Sequence, residues 1–214
     1  MRKVPLITGK IYHIFNRGVN KGNFFLEERD YQRFLDSLRH YKKRTSKFSY
    51  EKDFPASNDP GSLSKGLLID RVEILAYCLM PNHVHMLLKQ LSDNGLASFM
   101  QQLMSSFSHY INIKYRRTGP LFEGRFRNIA IETDEQLIHV SRYIHLNPLV
   151  SGIVSDLMNY PWSSYAEYVS NKEEVVSPGK ILEYFKSNHD YEKFVNDQVK
   201  YGIELEKIKH ITHD

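Results

Sequence analysis

The sequence predicts an α+β sandwich, in which helices pack against a mostly antiparallel sheet. Two observations carry this prediction. Strand-like and helix-like segments follow one another in the order β-α-β-β-α-β-α. The second and third strands along the chain are joined by a turn that is too short for a parallel connection. The chain has 214 residues, so we expect a main domain over residues 1–150 and a C-terminal helical extension over 151–214 that packs on it.

The first half supplies a strand, a helix and a hairpin. Residues 11–15 are predicted as a strand that ends at the turn Asn16-Arg17-Gly18. Apolar residues at helical spacing predict a helix over 27–44. Residues 53–66 hold two prolines and two glycines, so we expect a surface loop inserted at about 50–66. Strands over 67–79 and 83–89 follow, joined by the turn Met80-Pro81-Asn82.

The second half begins with a helix that Ser92 or Asp93 is expected to cap. A loop rich in Gly and Pro leads to a strand at about 125–132, and Thr133 or Asp134 is expected to cap the next helix. We expect that helix to end near Asn147, because Pro148 disfavours helical geometry in the residue before it. Beyond residue 160 the pattern weakens, with one further helix expected at about 191–201.

The composition and charge of the chain limit the kinds of binding partner that we expect. The net charge is +4, and five basic residues against one acidic residue between Lys114 and Arg127 give an excess of the same size, so an anionic partner is plausible there. Cys78 is the single cysteine, which excludes an intrachain disulfide. The start lacks the apolar run of a signal peptide, and no segment approaches the roughly 20 apolar residues that span a bilayer. We expect a soluble, cytoplasmic protein with no membrane partner.

We expect His83 and His85 to form the centre of a metal-binding site. One residue separates them, so on a strand both side chains point to the same face, about 7 Å apart. Two imidazoles so placed can share one divalent ion. A bare His-x-His pair is common and usually binds nothing, so a third ligand and a reactive group are needed.

The helix before Pro148 offers both. At about 100° per residue, His139, Tyr143 and Asn147 lie along one edge of its apolar face. Tyr143 and Asn147 are four residues apart, so their side chains can reach the same point. The Asn147 amide oxygen suits Mg²⁺ or Mn²⁺, and a tyrosine phenolate can attack phosphorus. The alternative is a helix-edge aromatic residue with its hydroxyl in water.

Five segments together resemble the single-tyrosine transposases of the insertion-sequence type, whose HUH motif is a histidine, a hydrophobic residue and a histidine. The segments are Tyr12-His13 with Asn16-Arg17-Gly18, residues 79–88 around His83-Val84-His85, residues 119–126, residues 143–148 and residues 160–165. They span about residues 5–170 in the family's order. Asn147 stands where compact members usually carry glutamine. This departure and the extension after about residue 150 point toward the REP-associated tyrosine transposase branch.

The resemblance implies a ferredoxin-like HUH endonuclease fold and an enzyme that cleaves and rejoins single-stranded DNA near hairpins. It implies that His83 and His85 hold a divalent metal and that Tyr143 is the nucleophile. The product would be a 5′-phosphotyrosine link and a free 3′-OH, without a nucleotide cofactor. Asn147 is the expected third ligand, with His13 and His139 as alternatives. The family includes monomers and homodimers whose tyrosine helix completes the partner's site, and both states stay open.

Basic and polar residues are expected to contact the DNA. Arg125 and Arg127 alternate on a predicted strand, so both can face one groove and contact phosphates. A basic group at a helix end also has a structural reason, because it interacts favourably with the helix dipole. The expected DNA-binding residues are Asn16, Arg17, Lys114, Arg116, Arg117, Arg125 and Arg127.

Two other functions stay open at the level of sequence. A sheet with aromatic side chains and a basic strip can bind single-stranded nucleic acid without cutting it. Phe122 and Phe126 can stack on bases or belong to the core, and Trp162 is expected to pack the C-terminal segment. The second alternative is a phosphodiesterase that uses the same metal site with water as the nucleophile.

Overall fold

Four antiparallel strands form the sheet of the computed structural model, which describes residues 5–43, 70–170, 174–199 and 202. The strands are β1 (Ile11–Arg17), β2 (Val72–Met80), β3 (His83–Gln90) and β4 (Arg127–Ile131). They lie in the order β2-β3-β1-β4, so the first and third strands are central. The loop expected at about 50–66 lies outside the described residues.

Helices cover both faces of this sheet. They are α1 (Glu28–Lys43), α2 (Gly95–Lys114), α3 (Asp134–Val150), α4 (Tyr165–Ser170), α5 (Gly179–Leu182) and α6 (Asn188–Asn196). The first two pack on each other, on the face where Val84, Met86 and Leu88 are fully buried. Helix α3 packs over β2 and β3 on the opposite face. The predicted α+β sandwich is confirmed, and its β-α-β-β-α-β order with central β1 and β3 is ferredoxin-like.

The start of α2 differs from the prediction. Its N-cap is Asn94, in a left-handed conformation with φ of 57°. The Asn94 side chain makes no capping hydrogen bond to the helix. Asp93 instead accepts a hydrogen bond from the Thr8 hydroxyl. The Gln90 side chain accepts from the amide N–H of Leu96, so the end of β3 satisfies one of the free amides of the first turn.

The end of α3 also differs. The helix continues through Pro148 to Val150, whereas the sequence predicted an end near Asn147. The proline lies in the last turn, where its missing N–H removes a single hydrogen bond, and its ring is buried. The start of α3 follows the prediction, because the Thr133 hydroxyl caps the helix by accepting a hydrogen bond from the backbone N–H of Gln136.

The extension after α3 returns to the open edge of the sheet at β2. The Leu79 amide donates to the carbonyl of Trp162, and Cys78 forms an isolated bridge with Ser163. The Trp162 ring stacks on Tyr31 at 4.7 Å between centroids, as its expected packing role requires. The helix expected at 191–201 occupies Asn188–Asn196. None of the described helices has the length and apolar character needed to cross a membrane.

Candidate functional site

The register of the sheet gathers charged and aromatic side chains at one end of the α3 face. Arg17 lies opposite His83 and Phe15 lies opposite His85 in the β1–β3 pairing. In the β1–β4 pairing, Phe15 lies opposite Arg127. Directly paired residues of antiparallel strands project from the same face. The histidine pair therefore shares one face of the sheet with Arg17 of the adjacent strand β1 and Arg127 of β4, the next strand beyond it.

Each histidine of the pair has its Nδ1 atom in a hydrogen bond. The Nδ1 atom of His83 lies 2.6 Å from the Asn82 amide oxygen. The Nδ1 atom of His85 lies 3.0 Å from Nε2 of His13. The centroids of the two rings of the pair are 5.0 Å apart. Burial lowers the pKa of His13 to about 4, so this imidazole is neutral near pH 7.

Tyr143 reaches this group from α3. Its ring centroid lies 5.4 Å from that of His85 and 5.9 Å from that of His13, edge-on to both. The residue is 46% exposed, so the phenol borders the histidines and still opens to solvent. One turn later, the Asn147 amide nitrogen donates to the Tyr143 carbonyl at 2.7 Å, which leaves the amide oxygen as the acceptor end of that side chain.

Helix α3 is anchored by the C-terminal extension. The fully buried His145 ring lies between the Tyr191 hydroxyl at 2.7 Å and the Ser164 hydroxyl at 2.8 Å. The Arg142 guanidinium donates to the Phe194 carbonyl and lies 4.1 Å from the centre of its ring. Both contacts are within three residues of Tyr143, so residues 160–196 fix the position of the helix that carries the phenol.

These elements line one cleft of about 930 Å³. Its wall includes the predicted metal ligands His83, His85 and Asn147 and the predicted nucleophile Tyr143. Among the described residues, it also includes four basic residues, Arg17, Lys21, Arg125 and Arg127, and one acidic residue, Glu123. A cleft with this balance attracts an anion, and its volume falls in the range of ligand sites.

A loop over residues 118–126 closes one side of the cleft because it is tied to the end of β1. The Asn16 amide donates to the Gly124 carbonyl at 3.2 Å, and Gly18 pairs with Phe122. A Cβ atom on Gly18 would lie 2.3 Å from the Gly22 carbonyl oxygen, so only glycine fits there. Arg125, expected on a strand, lies in this loop because β4 begins two residues later, and it still faces the cleft.

Other predicted site residues lie elsewhere. Lys114 forms ion pairs with Glu27 and with the fully buried side chain of Asp30, and it does not line the cleft. Arg116 and Arg117 are exposed beyond the end of α2 and are not in the cleft wall either. His139 contacts Arg142 and the ring of Phe194. Phe122 and Phe126 are buried in the core.

The donor set at the cleft fits a divalent metal. Both histidines of the pair can present a neutral Nε2 lone pair, and Asn147 offers an amide oxygen on the same wall. Within the described ranges, no three or more His, Cys, Asp or Glu side chains are grouped so as to hold a metal ion. The Nε2 atom of His13, the alternative third ligand, contacts Nδ1 of His85.

Sequence reasoning missed several residues of the cleft. The sequence predicts only a turn at Asn82, yet the side chain of this residue orients His83. Lys21 and Ser151 line the cleft although they follow β1 and α3, and nothing in their spacing places them there. The one available signal was the position of Asn82 directly before His83, since a polar residue beside a metal ligand is a candidate hydrogen-bond partner.

Comparison with known proteins agrees with this architecture. The family model described as "Transposase IS200 like" matches residues 63–147. A candidate REP-associated tyrosine transposase of Haemophilus influenzae is 28% identical over 104 residues, which are 44% of this chain and 58% of that protein. The match thus spans less than two thirds of that relative.

A solved structure described as a REP-associated tyrosine transposase bound to a REP hairpin has a similar fold. It has a TM-score of 0.56 and 16% identity, and the match covers 85% of this chain and 92% of the other. The family resemblance predicted from the motifs is confirmed. Residues 63–147 of this chain are therefore similar to the IS200-like transposase family, and the fold is similar to that of the hairpin-bound structure.

Proposed function

We propose that this protein cleaves and rejoins single-stranded DNA, with Tyr143 as the nucleophile. The observation that carries the proposal is the position of the phenol, 5.4 Å ring to ring from His85, in a cleft that also presents four basic side chains. A solvent-open tyrosine beside two candidate metal ligands is the arrangement that nucleophilic phosphoryl transfer needs. A module that only binds nucleic acid needs neither group.

The reaction transfers a phosphoryl group between two oxygens. The Tyr143 hydroxyl oxygen bonds to phosphorus and loses its proton, while the bond from phosphorus to the 3′ oxygen breaks and that oxygen takes up a proton. The DNA then holds a free 3′-OH, and its 5′ end is esterified to the tyrosine. The reverse attack by a 3′-OH rejoins the strand without a nucleotide cofactor, because each step replaces one phosphodiester by another.

The groups around Tyr143 have separate tasks in this proposal. Arg17 and Arg127, which line the same cleft as the phenol, hold phosphates of the DNA. His83, His85 and Asn147 would hold Mg²⁺ or Mn²⁺, which supplies positive charge at the phosphoryl oxygens. The buried contacts of His145 keep α3 in place, so that the phenol stays beside the histidines.

The proposed substrate is a single strand next to a DNA hairpin. The hairpin-bound structure of similar fold and the basic cleft support this choice. Tyr143 lies 5.4 Å ring to ring from His85 of the same copy of the chain. This closeness supports a site that a monomer completes. If so, mixing a His83→Ala variant with a Tyr143→Phe variant should not restore cleavage, whereas a site completed between two chains would regain activity.

The test is the covalent adduct. The protein is incubated with hairpin-bearing single strands, labelled at the 3′ end, and Mn²⁺, then denatured and separated by size. The wild-type protein should retain label, and Tyr143→Phe should retain none. Tyr184→Phe is the matched control, because Tyr184 is 40% exposed and lies outside the cleft.

Three outcomes would contradict the proposal in different ways. An undiminished adduct in Tyr143→Phe would mean that another residue is the nucleophile. Metal-dependent cleavage without any adduct would favour water as the nucleophile. Hairpin binding with steep salt dependence but no cleavage would favour a binding module.

A further inference from the structure

We propose that His13 is a positioning residue, which holds the imidazole of His85 in the tautomer that binds metal. This inference rests on the proposed function, since it assigns a purpose to His13 only if His85 is a ligand. His13 itself touches neither metal nor DNA in this proposal. It acts through one hydrogen bond between two buried rings.

The geometry places the two rings in direct contact. His13 lies on β1 and His85 on β3, and both residues are 7% exposed. Their rings stack with centroids 5.1 Å apart and an angle of 25° between the planes. The Nε2 atom of His13 lies 3.0 Å from Nδ1 of His85. Two neutral imidazoles in such a contact need one donor and one acceptor, so the pair has two alternative proton arrangements.

Only one of these arrangements suits a metal ligand. The Nδ1 atom of His85 is engaged by His13, so ligation must use Nε2. A neutral imidazole has its lone pair on Nε2 only when its proton is on Nδ1. His85 must therefore donate from Nδ1, and His13 must accept at Nε2 and carry its own proton on Nδ1. The reverse arrangement places a proton on Nε2 of His85 and blocks ligation.

Asn82 provides an internal comparison, because it does the same for the other ligand. Its amide oxygen can only accept, so Nδ1 of His83, at 2.6 Å, must donate. Both candidate ligands thus have Nδ1 opposite a neighbouring side chain, as metal-ligating histidines do when an outer partner fixes ring orientation and tautomer. The two partners differ in kind: Asn82 fixes the direction of its bond, whereas the direction of the His13 bond depends on the location of its own proton.

The alternative roles for His13 fit the geometry less well. A third metal ligand would have to direct a ring nitrogen away from His85, whereas Nε2 lies within hydrogen-bond distance of it. A residue that only fills space would need no polar contact, and leucine would replace it. These alternatives make different predictions for two substitutions. His13→Leu removes the acceptor, and His13→Gln restores one, because the glutamine amide oxygen reaches about as far as Nε2.

The experiment measures the tautomer and the metal affinity separately. Long-range ¹H–¹⁵N correlation spectra of the metal-free full chain report which nitrogen of His85 carries the proton. Electron paramagnetic resonance of free Mn²⁺ gives the dissociation constant. We expect a proton on Nδ1 of His85 in the wild-type protein and in His13→Gln. In His13→Leu we expect the Nε2-protonated form to appear and the Mn²⁺ affinity to fall 10–100-fold.

The outcomes separate this inference from the proposed function. A wild-type protein that binds no Mn²⁺ contradicts the proposed function. Wild-type binding with an unchanged dissociation constant in His13→Leu contradicts the role of His13 alone. A proton on Nε2 of His85 in the wild-type protein also contradicts it, and this measurement needs no variant, so it holds even if His13→Leu fails to fold. Failure of His13→Gln to restore affinity would favour a third ligand.

Discussion

Arg17 and His83 lie directly opposite each other in the β1–β3 pairing. Their side chains project from the same face at the end of the sheet, where α3 carries Tyr143. A guanidinium in this position can hold a phosphate next to the proposed metal site. Arg127 lies on β4 opposite Phe15, which is itself opposite His85, so this second arginine is in the row of His85.

Neutralising these two arginines should weaken DNA binding through charge. For Arg17→Gln and Arg127→Gln we expect lower affinity for a hairpin-bearing single strand, because each arginine is proposed to contact one phosphate. The slope of log K against log salt concentration should become shallower by about 1 for each substitution. Fluorescence anisotropy at several salt concentrations measures both quantities.

Arg117→Gln is the matched control for these variants, since Arg117 is exposed and is not part of the cleft wall. Its salt slope should equal that of the wild-type protein. An Arg117→Gln slope that changes as much as the Arg17→Gln slope would mean that the DNA runs past the end of α2 and that the cleft is not its main path.

Asn147 should contribute to metal affinity through its amide oxygen. For Asn147→Ala we expect weaker Mn²⁺ binding, because one oxygen donor of the proposed site is lost. Asn147→Gln should retain much of the affinity, since it keeps an amide oxygen on the same wall. Titration of Mn²⁺ followed by electron paramagnetic resonance provides the comparison. Equal affinity in Asn147→Ala and the wild-type protein would remove Asn147 from the ligand set.

Much of the fold could be predicted because local patterns agree with the tertiary structure. The alternation around His83 and His85 matches a strand with one face in the core, and the Thr133 cap marks the start of α3. The predicted helix boundaries are wrong at positions where a contact with a residue distant in sequence determines where the helix begins or ends. The start of α2 is satisfied by Gln90 from a strand. A buried Pro148 is accommodated in the last turn of α3, against its local preference.

The site could be predicted only as separate pieces. Spacing places the two histidines on one face and Tyr143 one turn from Asn147, but the register that joins β1 to β3 is a long-range property. The contact between His13 and His85, 72 residues apart, depends on that register. The sequence predicts one DNA-binding group over the basic stretch, although the fold separates Lys114 from Arg127. Charge counted along the chain does not reveal an acidic partner such as Asp30.

Lys114 should stabilise the fold more than it contributes to DNA binding. Its ammonium group contacts Glu27 and the fully buried carboxylate of Asp30. Replacement by methionine removes the charged partner of that carboxylate, so we expect the free energy of unfolding to fall by about 1–3 kcal/mol. Urea denaturation measures this change, and anisotropy should show the wild-type affinity for the hairpin. Lys10→Met, at an exposed lysine, is the control for loss of charge alone. A DNA defect in Lys114→Met without loss of stability would restore its predicted role as a phosphate contact.

His145 should make stability depend on pH below neutrality. Burial lowers the pKa of this histidine to about 3 in the folded protein, compared with 6.5 for an exposed imidazole. Between these values the unfolded chain binds a proton that the folded protein does not, so stability falls as pH decreases from about 6.5 and is unaffected by this group above that pH. The slope for one such histidine approaches about 1.4 kcal/mol per pH unit.

A His145→Gln variant separates this contribution from other titrating groups, including His13, which remain in both proteins. At pH 7.5 the variant should be less stable by about 1–3 kcal/mol, because the bonds to Tyr191 and Ser164 are weakened or lost. At pH 5.0 the difference should shrink by about 2 kcal/mol, since only the wild-type protein carries the cost of keeping His145 neutral. Urea denaturation at both pH values gives the two differences. A difference that stays constant between them would mean that His145 takes up its proton in the folded protein, and that the contacts anchoring α3 loosen before the protein unfolds.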